Sequence, residues 1–582
     1  MIHLKQPGDF KRSTCPRDDR HRDSSIAQGK TARTAAIRSI RWLGSICFAL
    51  ALSIAPAAAQ QAGGNTPVPS FQELETTGAV IGVIRIDNQD IFDLDDPREN
   101  NALFRLANTL HIRTRPGVVR RALLFKSGEP LSVRLIEESE RILRSNHYLY
   151  DVRIRPVAYH DGIVDIEVTT RDTWTLDPGF SLSRQGGVNS SKLTLNEYNL
   201  LGTGISLGVK RSSDVDRTGK EFSISHNHAF GGWTTVEYQH GTFDDGTRDA
   251  FRLDRPFYAL DSRWAAGVSA STNERIDSIY SGGSVLGQYR HKSDAGEAYG
   301  GLSRGLVDGW TQRYSLGVQY QKDAYLIDPG LPVPSQMPTD LTLVAPFIRY
   351  EVVEDDFRKV KNRDRIERAE YFALGFNSRL QLGRAMTGLG STRDLWIYSA
   401  IASDGFAFAG DHNLLTSAYA SGEYGSGGGE HQFAGIGAKY YHPQGRHRLF
   451  FASISADTVA NGNAADQLLL GGDSGLRGYP LRYQTGTHRA LLSLEQRAYS
   501  DWYPFRLFRV GGAVFFDYGR AWGGVNQNTA NPGWLGDVGF GLRILNDRTA
   551  TGRVIHIDLA FPLNAEPGIK SRQFLIKTRA SF

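Results

Sequence analysis

Cysteine is almost missing from this chain. Only Cys15 and Cys47 carry a thiol in 582 residues, and both precede residue 60. Everything after Cys47 is therefore without a disulfide, a thiol nucleophile or a cysteine-ligated metal. Long apolar runs are missing too. No uninterrupted apolar stretch of about 18 residues occurs, and mean hydropathy is −0.35, which excludes a bundle of membrane-spanning helices. It does not exclude a membrane β-barrel, in which only alternate residues face lipid. Catalytic signatures are equally scarce: there is no HExxH, CxxC or phosphate-binding loop. Ser474 in Gly-Asp-Ser-Gly and Ser206 in Gly-Ile-Ser-Leu-Gly superficially match nucleophile segments. The first lacks an upstream histidine segment, and the second sits in an alternating strand pattern rather than before a helix. The pairs His226/His228 and His442/His447 lack supporting acidic or cysteine spacing. No enzyme activity, cofactor or metal is expected.

What is present begins with a leader. Residues 42–59, WLGSICFALALSIAPAAA, carry a short apolar stretch behind Arg33, Arg38 and Arg41, and end on Ala57-Ala58-Ala59 before Gln60. This is the pattern of a secretory signal peptide, so 1–59 is expected to be removed. Ten Lys/Arg and four Asp/Glu go with it, leaving 57 basic against 58 acidic residues from a whole-chain net charge of +5. The basic isoelectric point thus belongs to the leader, and no nucleic-acid partner follows from it.

Residues 60–77 read as a linker. From 78 to 172 the pattern is α+β. VIGVIRI (80–86) reads as a strand and a helical stretch follows near 99–110. Pro116 opens GVVRRALLF, and Ser132 stands as N-cap before VRLIEESERILRS, with Leu135, Ile136, Ile142 and Leu143 at helical spacing. YLYDVRIRPV and IVDIEVTTR alternate at period two around His160-Asp161-Gly162, a hairpin. The order is β-α-α-β-β, with 91–111 as an insertion.

From about 173 to 582 the chain reads as alternating strands. Ile555, Ile557, Leu559 and Phe561 share one face, opposite His556 and Asp558. Val538, Phe540, Leu542 and Ile544 stand opposite Asp537 and Arg543. Phe574, Ile576, Ala580 and Phe582 stand opposite Lys577 and Arg579. A barrel with lipid outside and water inside has this pattern, and so does a soluble sandwich. Trp174 and Trp502-Tyr503 are candidate membrane-interface residues.

Leu476-Arg477-Gly478-Tyr479, followed by VFFDYGRAW (514–522) and a terminal Phe582, resembles the BamA/TamA-type outer-membrane assembly factors. That superfamily is also called the bacterial surface antigen family and includes the two-partner-secretion transporters. RTRPGVVRRALLFKSGEPLS and ESERILRSNHYLYDVRI resemble a polypeptide-transport-associated (POTRA) domain, here present once. The resemblance implies a periplasmic POTRA domain at 78–172 and an outer-membrane barrel of about 16 antiparallel strands at 173–582. It implies that Arg477 sits on an outer loop folded into the lumen, with Asp517 as its partner and Glu495 as a second acid. It implies that Phe574, Ile576 and Phe582 form the signal by which the barrel-assembly machinery inserts the chain. The implied activity is insertion or export of unfolded client polypeptides, which add to the edge of the POTRA sheet. A passive pore or non-protein transporter, and a surface antigen without transport role, are the alternatives.

Overall fold

The computed structural model describes residues 68–524, 533–548 and 553–579; the leader, both cysteines, Ala580 and Phe582 lie outside them. Ser70 starts a short helix, α1 (Phe71–Thr76). Its hydroxyl accepts from the Glu73 amide at 3.3 Å, while the Glu73 carboxylate accepts from the Ser70 amide at 2.8 Å, a reciprocal capping box. Leu74 turns into the domain core. The part of the expected linker from Ser70 onward is therefore ordered structure, and the unit begins before residue 78. Six residues are too few to show helical periodicity in sequence.

There follow β1 (Val80–Gln89), α2 (Ala102–Leu110), α3 (Pro116–Arg121), α4 (Val133–Ser145), β2 (Leu149–His160) and β3 (Ile163–Asp172). The sheet order is β1-β3-β2, with β1 parallel and β2 antiparallel to β3. Ile136 and Leu143 of α4 pack with Val118, Val119, Val152, Val164 and Ile166. Each fully buried aliphatic side chain contributes about 1.5–3 kcal/mol. Ser132 precedes α4, but its side chain makes no capping bond. The Val133 amide donates instead to Glu75 of α1 at 3.1 Å, so the first helix caps the fourth. Residues 90–115, with α2, stand between β1 and α3.

From Leu176 the chain builds one closed sheet of twenty antiparallel strands, each paired with its neighbours in sequence. The expected 16 is corrected to twenty. Sixteen rested on the resemblance; short-turn hairpins such as Thr234–Phe243 with Gly246–Arg255, of a kind that long surface loops also contain, are wall here. The first strand (Leu176–Gln185) and the last (Gln573–Arg579) close the barrel. Among the described residues they meet through the single registered pair Arg184–Ile576, whereas neighbouring strands align over many residues.

Alternation sorts the side chains by face. Phe180, Leu316 and Ile436 point outward and are 70%, 68% and 66% exposed, while Arg497, Asp517 and Arg543 point inward and are fully buried. Closure removes the sandwich reading. A wall that is apolar outside and charged inside is the inverse of a soluble protein, and lipid is the surrounding that takes its outer face out of water. No described helix is long and apolar enough to cross a membrane.

The α+β domain sits at the barrel end where the first strand begins. Glu138 accepts from the Leu260 amide at 2.9 Å, and Arg134 pairs with Asp261, on one rim turn. The Arg115 amide donates to the Gly202 carbonyl at 2.9 Å on another. Behind these contacts Asp172 is a buried hub: it accepts from the Thr114 amide at 2.7 Å and the Thr114 hydroxyl at 2.9 Å, and meets His111 Nε2 at 2.8 Å.

Candidate functional site

Two segments fold into the lumen from opposite ends. Strands Leu341–Glu354 and Asn377–Ala385 are joined at the domain end by residues 355–376, which form their own hairpin, Phe357–Lys361 with Ala369–Ala373. Its Val360, Ile366, Phe372 and Leu374 pack against inward wall residues Tyr441, Leu449, Phe451, Tyr499, Leu545 and Val554. Arg363 fastens it, donating to Asn413 and to Asp411, and its carbonyl accepts from Arg497 at 2.9 Å. The hairpin also touches the α+β domain: Lys359 lies 3.6 Å from Glu140, and the Arg141 and Arg368 guanidiniums lie over the Phe357 and Tyr150 rings. Such a short pair of strands between polar turns resembles a surface loop in sequence, and nothing there betrays its inward docking.

From the far end the loop 461–487 folds inward. Gly472 and Leu481 press on Gly186 in the first hairpin turn; the Leu481 amide donates to the Gly186 carbonyl at 3.2 Å, and a Cβ on Gly186 would fall 1.9 Å from the Leu481 nitrogen. Gly186 also has φ +55°, so glycine is required there twice over. Across the lumen Gln467 exchanges two bonds with the Tyr280 backbone, at 2.8 and 2.9 Å, and Arg482 pairs with Asp216 at 2.6 Å. On the last strand Lys577 donates to the Asp473 carbonyl at 3.3 Å. One loop thus holds both the first and the last wall strand.

At its tip Arg477 is buried. Nε and Nη2 donate to the two carboxylate oxygens of Asp517 at 2.6 and 2.8 Å, a bidentate fork. Nη1 donates to Glu495 at 2.7 Å and lies 3.6 Å from Asp558. The guanidinium carbon stands 3.5 Å from the Phe515 ring centroid. Leu476 and Tyr479 are buried beside it; the Gly478 amide donates to Asp537 at 3.0 Å and the Tyr479 hydroxyl to the Gly536 carbonyl at 3.0 Å. The structure thus brings Arg477, Asp517 and Glu495 together. It adds Arg497, 2.9 Å from Glu495, and Arg543, 2.5 Å from Asp558. Their strands' polar faces were legible in sequence, but the strand register that aligns them into one network was not.

Between hairpin and loop lies a chamber of about 1530 Å³, lined by Arg477, Glu495 and Asp517 above and by Glu370 and Phe372 below. Arg144 and Asp151 of the α+β domain reach it too, 2.5 Å apart. Burial works against the Asp151 charge, but Arg144 and Arg153 outweigh it and hold that carboxyl below its ordinary range. Phe574 is exposed on the outer face of the last strand, Ile576 lies at the closing pair, and Phe582 lies outside the described residues. Ser206 donates to the Tyr198 carbonyl at 3.1 Å, and Ser474 belongs to the inward loop. Among the described residues no cluster of three or more histidines or acids is arranged to hold a metal.

No protein-family model and no curated protein matches the chain. Among solved structures, CdiB from Escherichia coli overlaps at 12% identity and TM-score 0.44, covering 85% of this chain and 76% of that one. CdiB from Acinetobacter baumannii overlaps at 11% and 0.39, covering 86% and 74%. BamA from Haemophilus ducreyi lacking POTRA domains 1–3 overlaps at 13% and 0.36, covering 85% and 84%. At such identities and scores the likeness assigns neither family nor activity.

Proposed function

We propose that this chain is an outer-membrane barrel of the BamA/TamA-type superfamily that helps insert or export client polypeptides, with the α+β unit as a single periplasmic POTRA domain. The observation that carries the reading is the Leu476–Tyr479 turn, folded into the lumen and held by Asp517 and Glu495. A surface loop has no use for a buried, doubly paired arginine. A loop that must keep one position inside a water-bearing barrel does.

The hairpin 355–376 occupies the lumen on the domain side and the 461–487 loop occupies it on the far side, which weighs against a wide, permanently open pore. A client therefore needs either displacement of these elements or the weakly registered seam between the first and last strands. Past Val152, whose carbonyl accepts from Arg144, the outer edge of β2 offers backbone donors and acceptors to an unfolded strand with little demand on its sequence. With no nucleotide site proposed, folding of the client supplies the driving force.

A photo-crosslinking amino acid in place of Tyr159 on β2 tests this in cells. Adducts with unfolded, not yet membrane-inserted or secreted polypeptides support the reading. A complete lack of adducts there, with adducts from a control on the opposite sheet edge at Val83, would overturn the edge assignment.

A further inference from the structure

The apolar surface of this protein does not stop at the barrel wall. α2 (Ala102–Leu110) is buried on one side, where Phe104 stacks on Phe92 with ring centroids 3.8 Å apart, packed by Trp174 and Leu507. Asn108 closes that side, exchanging bonds with the Phe92 amide and carbonyl at 3.1 and 2.9 Å. The adjoining stripe is bare: Leu103, Leu106 and Leu110, at three- and four-residue spacing, are 64%, 55% and 65% exposed, and Ile112 continues it at 53%. Arg105 and Thr109 occupy the remaining arc. A helix with one packed side, one bare apolar side and one polar side fits a boundary between protein, lipid and water.

The location decides which apolar medium covers it. Trp174 holds a β-bridge and the Thr175 carbonyl still accepts from the Tyr198 amide at 3.1 Å, so the pairing of the first wall strand carries on through them; Trp174 shares a face with Leu176, which is exposed on the outer face of that strand. The helix therefore rests against the downward continuation of the lipid-facing wall, not beneath the lumen. Past α2 the chain follows the rim: the Arg115 guanidinium donates to the Leu201 carbonyl at 3.1 Å, and the Leu201 side chain is bare. On the other flank, the turn that supplies Leu507 carries bare Trp502 and Phe505, residue types that favour the membrane interface.

We propose that α2 lies in the headgroup region of the leaflet on the α+β-domain side, with Leu103, Leu106 and Leu110 inserted at the acyl boundary beside the seam. It is a lipid-surface anchor that fixes the height of the domain under the first and last strands. The inference rests on the barrel's membrane placement and is independent of client handling.

The chain has no cysteine after Cys47, so single cysteines placed in the expected mature protein are unique labels. Leu106→Cys, Thr109→Cys and Ile436→Cys would each carry an environment-sensitive fluorophore in full-length protein. The proteins are reconstituted in phosphatidylethanolamine/phosphatidylglycerol vesicles containing lipids spin-labelled near the headgroup. The expected result is quenching at 106 several-fold stronger than at 109, without any added polypeptide. Equal quenching at 106 and 109 overturns the anchor. So does protection of 106 only on adding unfolded polypeptide, or 106-to-106 crosslinking between copies, each of which assigns the stripe another occupant. Ile436 reports on the wall, at mid-strand, and is read in parallel vesicles whose lipids are spin-labelled deep in the acyl chain: lack of quenching there indicts the membrane placement itself, not α2. Leu103→Gln/Leu106→Gln/Leu110→Gln should leave a heat-modifiable barrel while making the α+β domain more protease-sensitive on vesicles.

Discussion

Arg477 and Asp517 stand 40 residues apart in sequence and meet through two parallel bonds of 2.6 and 2.8 Å inside the barrel. Both are buried, and Glu495, Asp558, Arg497 and Arg543 extend the pairing into a network across four wall strands. Removing one member of a buried pair leaves its partner uncompensated, a cost of about 3–5 kcal/mol when water is excluded. Arg477→Ala should therefore free the 461–487 loop to protease while the barrel persists, and reduce function. Arg477→Lys should rescue only in part, since an ammonium cannot make the fork. A double-mutant cycle with Asp517→Asn should show coupling of more than about 1 kcal/mol. Additive effects would mean that the pair does not act as one unit.

The hairpin 355–376 makes a second measurable claim. Deleting Phe357–Ala373 and joining the ends with a short glycine linker should raise single-channel conductance in planar bilayers well above that of the intact protein. Phe372 and Tyr441 rings lie 5.1 Å apart. Phe372→Cys/Tyr441→Cys bridged by a short bifunctional reagent should stay at the resting conductance. Equal conductance in the intact and deleted proteins would show that the hairpin does not seal the lumen.

Much of this architecture was legible from residue order alone. The α4 helix declared itself through Ile136 and Leu143 at helical spacing, and the β2–β3 hairpin through alternation around Asp161-Gly162. The Leu476–Tyr479 turn by itself reads as a solvated surface loop, and the lumen arginine was legible only through resemblance, because that turn and the FFDYG segment stand as in the BamA/TamA-type superfamily. Strand number was not, because a wall hairpin and a loop hairpin share the same local pattern and differ only in what they pair with. The inward docking of 355–376 and the seating of α2 were hidden for the same reason. Phe372 meeting Tyr441, or Phe104 meeting Trp174, is a contact across some 70 residues that no local periodicity encodes.

Asp172 should be the main fastener between the α+β domain and the rim. It gathers the Thr114 amide, the Thr114 hydroxyl and the His111 ring, and Thr114 in turn accepts from Asn199 at 2.7 Å. Hydrogen bonds to a charged group are worth about 1.5–3 kcal/mol each. Asp172→Ala should raise hydrogen exchange across residues 111–115 and 199–204 by at least tenfold, with the distant strands unchanged. Protection equal to wild type in both segments would remove Asp172 from that role.

The terminal strand carries an expectation of a different kind. Deleting Phe582 should lower the yield of heat-modifiable barrel in cells far more than Phe582→Tyr, because the apolar outer face of the strand, with Phe574 and Ile576, is the surface the assembly machinery is expected to read. Equal, wild-type yields of both variants would count against it.

The most direct measurement is depletion of this protein in the organism that makes it, with quantitative comparison of the outer-membrane and secreted proteins before and after. A client-handling barrel predicts that one or more β-rich outer-membrane or exported proteins fall several-fold and accumulate unfolded in the periplasm, and that the Arg477→Ala protein fails to restore them. Unchanged levels of every outer-membrane and secreted protein, together with a fall in small-solute permeability, would contradict the account and identify a pore.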